Sequence, residues 1–204
     1  MNILFLTNNE LSFSLYNWLK DDAKENVILF ENKLNMDEVV SLKPDLIISY
    51  NYRYLIKKDI IEYMKKRIIN LHISLLPWNR GAHPNLWSFL DDTPKGVTIH
   101  LINELIDAGD ILFQKEVFFD EENETLKTTY FKLHDEIQNL FKSNWYKIKR
   151  GDYELIPQKE DGSIHYLKDF ENLKDAIGLN DWNISIIELK KRYKNYKQGY
   201  GNIE

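Results

Sequence analysis

Apolar residues in this chain fall in short runs separated by polar turns, and the runs alternate in character. Residues 2–6 are apolar and end in Thr7-Asn8-Asn9, which predicts a buried strand followed by a turn. Over residues 10–20, Leu11, Phe13, Leu15, Trp18 and Leu19 are compatible with a helix. Residues 27–30 and, after Pro44, residues 45–50 read as further strands; residues 56–65 predict a helix and 67–72 a fourth strand. Strand and helix alternate about every 20 residues, which favours right-handed crossovers. The expected fold class is α/β, a doubly wound and mainly parallel sheet of the nucleotide-binding type.

Residues 96–102 alternate cleanly, with Val97, Ile99 and Leu101 on one face and Thr98, His100 and Ile102 on the other. Residues 111–119 are extended. Over 124–149, Leu126, Tyr130, Leu133, Ile137, Leu140, Phe141, Trp145 and Ile148 recur at helical spacing, predicting one long helix against the sheet. From Gly151 the pieces become short and rich in Asp, Lys and Asn, with a strand-like Gly162-Ser163-Ile164-His165-Tyr166 and a helix over 185–193. We therefore expect a main domain over 1–150 and an accessory segment over 151–204. That segment is too small for a large core of its own and is expected to pack on the main domain or on a second subunit, supporting a homodimer.

Composition removes several classes of function. With 27 Lys and Arg against 32 Asp and Glu the net charge is −5, the wrong sign for binding nucleic acid through its phosphates. Lys190-Lys191-Arg192-Tyr193-Lys194 reads as a solvated helix face. The absence of cysteine excludes disulfides, zinc ribbons and thiol nucleophiles. No run approaches the roughly 20 apolar residues of a membrane span, and the first residues lack the marks of a signal peptide, so a cytosolic protein is expected. The turn after the first strand has Asn8-Asn9 and no Gly-x-Gly-x-x-Gly, which disfavours a dinucleotide. His72, His83, His100, His134 and His165 show no ligand spacing, so no metal is expected.

Two polar clusters interrupt this pattern. Asn70 and His72 close an apolar strand two residues apart, so on extended chain they share a face with Cα atoms about 7 Å apart. Ligands of open α/β sheets bind beyond the carboxyl ends of the strands, where this pair falls. Taken alone, the pair is equally a hydrogen-bonded Asn and a buried His closing a turn. Asp107-Ala108-Gly109-Asp110 presents carboxylates from a loop whose glycine permits a tight turn; alone it is a simple β-turn. His100 reads as an ordinary strand residue and His134 as a helix residue without special role.

Together, Asn70-Leu71-His72, Ser74-Leu75-Leu76-Pro77, Arg80-Gly81, Gly96-Val97-Thr98 and Asp107-Ala108-Gly109-Asp110 resemble the signature of the folate-dependent formyltransferases. The resemblance covers roughly residues 1–150. It implies that Asn70, His72 and Asp107 are catalytic, while Asp110 matches no catalytic position and holds the loop. It implies N10-formyltetrahydrofolate as co-substrate, bound against Tyr52, Arg53 and Leu55 after the third strand and against Asn103, Glu104 and Ile106 before Asp107. In such chemistry Asn70 donates to a developing oxyanion, His72 acts as an acid and Asp107 orients His72 and accepts the amine's proton.

The turn at Thr7-Asn8-Asn9-Glu10 departs from the glycine- and serine-rich phosphate loop of the glycinamide ribonucleotide enzymes. The residues after Gly151 do not resemble the C-terminal barrel of the methionyl-tRNA enzymes. Pro77 to Trp87 and Gly162 to Asp169 resemble instead the nucleotide-sugar N-formyltransferases. That branch implies an acceptor side formed by Asn8, Asn9, Trp78, Arg80 and His83, and a nucleotide-linked amino-deoxysugar such as dTDP-4-amino-4,6-dideoxyglucose, destined for a surface polysaccharide. Trp78 and Trp87 read equally as packing residues, Trp87 more so. A methionyl-tRNA or other small-amine formyltransferase, a formyltetrahydrofolate hydrolase and a non-catalytic folate- or sugar-nucleotide-binding module remain open alternatives.

Overall fold

The strands are β1 (Asn2–Leu6), β2 (Asn26–Phe30), β3 (Leu46–Tyr50), β4 (Ile68–His72), β5 (Arg80–Gly81), β6 (Gly96–Leu101), β7 (Ile111–Glu116) and β8 (Ile164–His165). The helices are α1 (Phe13–Asp21), α2 (Met36–Leu42), α3 (Lys58–Met64), α4 (Pro84–Leu90), α5 (Leu126–Arg150), α6 (Leu167–Ala176) and α7 (Ile186–Tyr200). They are taken from a computed structural model that describes residues 1–159 and 161–200. Where the sequence suggested one break near residue 150, the chain instead forms two interleaved units. The first comprises Met1–His72, Thr98–Phe113 and Leu140–Gln158; the second comprises Ile73–Val97, Gln114–Asn139 and the described part of Lys159–Glu204.

In the first unit, β1, β2, β3 and β4 pair in parallel in the order β2-β1-β3-β4. The continuous apolar runs of β1 and β3 are buried throughout except at Asn2, as a sheet covered on both faces requires. The sheet continues through β6 to β7. β6 runs antiparallel to β4, which sets Asn70 opposite His100 and His72 opposite Thr98. The sheet is therefore mainly parallel, as expected, with a reversal at the strand that carries the polar pair. Leu4, Leu6, Ile47 and Ile68 pack with Val39, Ile60 and Met64 in one core cluster.

Two details of this unit differ from the sequence reading. Residues 10–12 form a 3-10 turn before α1, capped by the Asn9 side chain accepting from the Leu11 amide at 3.0 Å. Helix α2 was not anticipated, because only Val39 of its seven residues is buried. Local chemistry sets its start instead. Asn35 and Glu38 exchange side-chain and backbone hydrogen bonds in a capping box. Asn35→Ala should cost about 1 kcal/mol in urea denaturation, with little effect elsewhere.

The second unit has its own core, in which Leu86, Trp87, Phe89 and Leu126 pack with Phe170, Leu173, Ile186 and Leu189. The segment after Gly151 thus shares a core with the middle of its own chain. The expected strand at 162–166 is present as β8, paired in parallel with β5. Gly81 sits at φ 87, and a Cβ there would lie 2.2 Å from the His165 carbonyl oxygen, so only glycine allows this pairing.

His134 of α5 is buried with its ring edge-on to Tyr130 at 4.3 Å, and burial pushes its imidazole down to about 4. Above pH 6.5 the ring is neutral in both folded and unfolded chains. Between there and the folded value only the unfolded chain takes the proton, so stability falls as pH drops, by at most about 1.4 kcal/mol per unit. Denaturation midpoints followed downward from neutral pH should show this slope, and His134→Leu should reduce it.

Candidate active site

Asn70 and His72 project from the carboxyl-terminal end of β4, and Asp107 reaches them from the loop between β6 and β7. Asn70 Nδ2 lies 3.1 Å from Asp107 Oδ1 and 3.2 Å from His100 Nε2. His100 Nδ1 stands 2.8 Å from the Leu101 carbonyl oxygen, which can only accept, so Nδ1 carries a proton. In the neutral ring Nε2 is then an acceptor. Both Asn70 amide hydrogens are thereby assigned, one to His100 and one to the Asp107 carboxylate. The opposite amide orientation would set an oxygen against a carboxylate and a ring lone pair.

His72 Nδ1 is 3.6 Å from Asp107 Oδ2, close enough for charge stabilisation but longer than a hydrogen bond. Such distances are common before a substrate closes the site. His72 and His100 are buried, their rings edge-to-face at 6.2 Å, while the Asp107 side chain keeps 16% of its surface accessible. One carboxylate thus gathers an amide and two imidazoles at a spot that solvent can still reach.

The loop carrying Asp107 is held through its backbone. Gln158 Nε2 donates to the carbonyl oxygens of Asp107 and Gly109, each at 2.8 Å, and the Leu101 amide donates to the Asp110 carbonyl at 2.8 Å. The residue with a left-handed backbone is Asp107 itself, at φ 47. Gly109 serves another purpose than the tight turn read from the sequence. A Cβ there would lie 1.8 Å from the Leu101 carbonyl oxygen, so glycine is required for close approach to β6.

Residues 17–144 match the family described as Formyl transferase. The chain belongs to the formyltransferase family. Among solved structures, this family member is similar to the formyltransferase PseJ from Anoxybacillus kamchatkensis, in complex with UDP-4,6-dideoxy-4-formamido-L-AltNAc and tetrahydrofolate. Identity is 43% and the TM-score 0.85, with 93% of this chain and 97% of that one covered. A sugar N-formyltransferase from Shewanella sp FDAARGOS_354 aligns at 25% identity and TM-score 0.75, covering 95% of this chain and 87% of that one. The methionyl-tRNA formyltransferase of Fusobacterium nucleatum subsp. nucleatum is 34% identical over 183 residues, 87% of this chain. The chain spans only 55% of that curated relative.

Within this formyltransferase-family protein, the structure places the remaining sequence-predicted residues unequally. Leu55 is exposed, as is Leu105 beside the expected Glu104 and Ile106. The Tyr52 hydroxyl donates to the Asn32 carbonyl and accepts from the Leu34 amide, Glu104 pairs with Lys58, and Asn103 accepts from the Leu105 amide. Arg53 is exposed and stacks over Tyr54. The side chains of Asn8 and Asn9, expected at the acceptor, bond the protein's own backbone. The Asn8 side chain bonds the Glu31 carbonyl and the Arg53 amide, and Asn9 caps the 3-10 turn.

In the second unit, the Trp78 carbonyl accepts from Ser74, and the Arg80 backbone pairs with residues of the 162–166 segment. His83 is half-buried and stacks against Phe170 at 3.9 Å. Trp87 is core, as its alternative reading held, stacked on His165 at 4.0 Å.

Two residues of the carboxylate cluster escaped the sequence reading. His100 lay on the polar face of its strand, and its meeting with Asn70 follows from the antiparallel register of β6 on β4. Gln158 carried no signal, being 51 residues from Asp107 and in irregular chain. Among the described residues, no group of three or more His, Cys, Asp or Glu side chains could hold a metal ion, and no helix is long and apolar enough to cross a membrane.

Proposed function

We propose that this protein transfers the formyl group of N10-formyltetrahydrofolate to the amine of a 4-amino-4,6-dideoxy sugar linked to a pyrimidine nucleoside diphosphate. The observation that carries the reading is the convergence of Asn70, His72 and His100 on the Asp107 carboxylate at the carboxyl end of β4. The acceptor class is supported by the similarity to PseJ, whose length this chain matches almost fully and whose bound sugar carries a 4-formamido group. The sequence resemblance adds dTDP-4-amino-4,6-dideoxyglucose to the UDP-linked candidates. The co-substrate fits the first unit. Leu55 is 77% and Leu105 70% exposed, offering apolar cover for a flat ring system.

The folate supplies an electrophilic formyl carbon on N10. The amine nitrogen attacks that carbon, a C–N bond forms and the formyl oxygen takes the electron pair. Asn70 turns one N–H from Asp107 to this oxyanion. The carboxylate oxygen so released accepts the proton that the amine loses. His72, its Nδ1 side facing Asp107, presents Nε2 to protonate N10 as the C–N10 bond breaks. The products are a formamide and tetrahydrofolate.

Incubation with 10-formyltetrahydrofolate and a panel of UDP-, dTDP- and GDP-linked amino sugars, plus methionyl-tRNA, tests the acceptor. One sugar should gain the mass of CO, and none should with His72→Ala. Formylation of methionyl-tRNA alone would refute the sugar reading. Within this account Gln158 is a positioning residue. Gln158→Leu should lower kcat on the order of tenfold, by releasing Asp107, with both KM values nearly unchanged and the melting temperature close to wild type.

A further inference from the structure

Residues 51–57, between β3 and α3, are irregular chain that leaves the sheet beside the catalytic strand. Tyr50 is level with Leu71 in the β3–β4 register, so this loop departs next to His72. Its course is set from the turn after β1, by Asn8. The Asn8 amide donates to the Asn51 carbonyl at 3.1 Å, and Asn8 Oδ1 accepts from the Arg53 amide at 3.1 Å. The same side chain turns its Nδ2 the other way, donating to the Glu31 carbonyl after β2 at 2.6 Å.

The first two contacts bracket Tyr52 as a residue in a parallel strand brackets one on its neighbour, donating to the carbonyl before it and accepting from the amide after it. Regular pairing of β1 with β3 ends at Leu6 and Ser49. Asn8 adds a rung beyond that end, with a side-chain oxygen in place of a main-chain carbonyl. The rung needs an acceptor for Arg53 and a donor for Glu31 on one short side chain; alanine has neither and an ionised aspartate lacks the donor. The amide has one workable orientation, since turning it over would set an oxygen against the Glu31 carbonyl and an N–H against the Arg53 amide. Other ties hold the fold without it. Ser12 Oγ joins the Asn51 side chain to the Tyr50 carbonyl, at 2.9 and 3.2 Å, and the Tyr52 hydroxyl binds the Asn32 carbonyl and the Leu34 amide.

We infer that Asn8 is a positioning residue for the formyl donor, holding the backbone of residues 51–53 so that Leu55 stands out as a wall of the folate site. Tyr52 and Ile56 pack against the core cluster that contains Leu4, Leu6 and Ile60, while Leu55 between them is 77% exposed. The bracket at Arg53 fixes where that exposed side chain stands. This role rests on the folate reading of the first unit, and it moves Asn8 from the acceptor, where the family resemblance set it, to the donor. A loop already held in its binding shape spares the ligand the cost of ordering it.

Calorimetric titration of the whole protein with tetrahydrofolate tests the role, together with steady-state kinetics in which 10-formyltetrahydrofolate and the nucleotide sugar are varied separately. Asn8→Ala should weaken tetrahydrofolate on the order of tenfold and raise the donor KM by a similar factor, while the acceptor KM stays within about twofold and kcat within about threefold of wild type. Its melting temperature should stay close to wild type. Asn8→Asp, which keeps an acceptor for the Arg53 amide, should bind tetrahydrofolate more tightly than Asn8→Ala. Wild-type tetrahydrofolate affinity in Asn8→Ala would overturn the role, as would a rise confined to the acceptor KM, which would return Asn8 to the acceptor side. Equal rises in both KM values with a lowered melting temperature would overturn it too, leaving Asn8 a part of the general fold. Failure of the folate reading looks different: wild-type protein would then bind no tetrahydrofolate, and the role of Asn8 would fall with the site.

Discussion

Asp107→Asn is expected to lower turnover by about 10²–10⁴-fold while leaving folate and nucleotide affinity close to wild type. The substitution keeps the shape of the side chain, and asparagine tolerates the left-handed backbone at φ 47 better than most residues. Gln158 and the Leu101 amide hold this loop through carbonyl groups, so their contacts survive the change. What is lost is the charge. Without it nothing balances an imidazolium at His72, 3.6 Å away, and no base remains for the proton that the amine must lose. Asn70 keeps a neutral amide oxygen to donate to in place of the carboxylate. Steady-state kinetics with both substrates varied should show the loss in kcat. Retention of turnover within about tenfold of wild type would show that Asp107 is not the proton acceptor.

Gly109→Ala should be nearly as damaging, by a steric route. The new Cβ would sit 1.8 Å from the Leu101 carbonyl oxygen and 2.7 Å from its carbon, and both belong to backbone in a buried strand that cannot rotate aside. The loop must therefore retreat, carrying Asp107 with it. A displacement of about 1 Å at reacting groups can cost on the order of a hundredfold, so kcat should fall by about that factor. The melting temperature should fall as well, since the Leu101 to Asp110 hydrogen bond shares the strain. No second substitution that truncates a side chain should rescue this variant, because the clash lies between the new Cβ and backbone atoms of Leu101. Wild-type kinetics in Gly109→Ala would mean that the loop moves freely and that its position is not what matters.

The sequence made the strands legible because parallel strands covered on both faces leave unbroken apolar runs, as at Leu46–Tyr50. Helices were less legible where their burial was extreme in either direction. α2 buries only Val39, whereas every residue of α4 from Asn85 to Leu90 is buried, so neither shows the one-sided stripe that marks a surface helix. The interleaving of the two units is likewise hidden, because cores assemble from residues such as Leu86 and Phe170 that are far apart in the chain. Within the site, Asn70 and His72 announce themselves by breaking an apolar strand. His100 looks ordinary until β6 is known to run antiparallel to β4. Asn8 and Asn9 also serve the local backbone, since polar residues at the end of a strand are as often needed by the chain around them as by a ligand.

The most direct test follows the formyl carbon itself. With 10-formyltetrahydrofolate labelled with ¹³C at the formyl group and the nucleotide-linked 4-amino sugar identified by the panel, the carbon resonance should move from the N10-formyl position to that of a sugar formamide. One tetrahydrofolate should be released for each formamide formed, and neither change should occur with His72→Ala. Label appearing as free formate at the same rate with and without the sugar would contradict the account and identify a hydrolase.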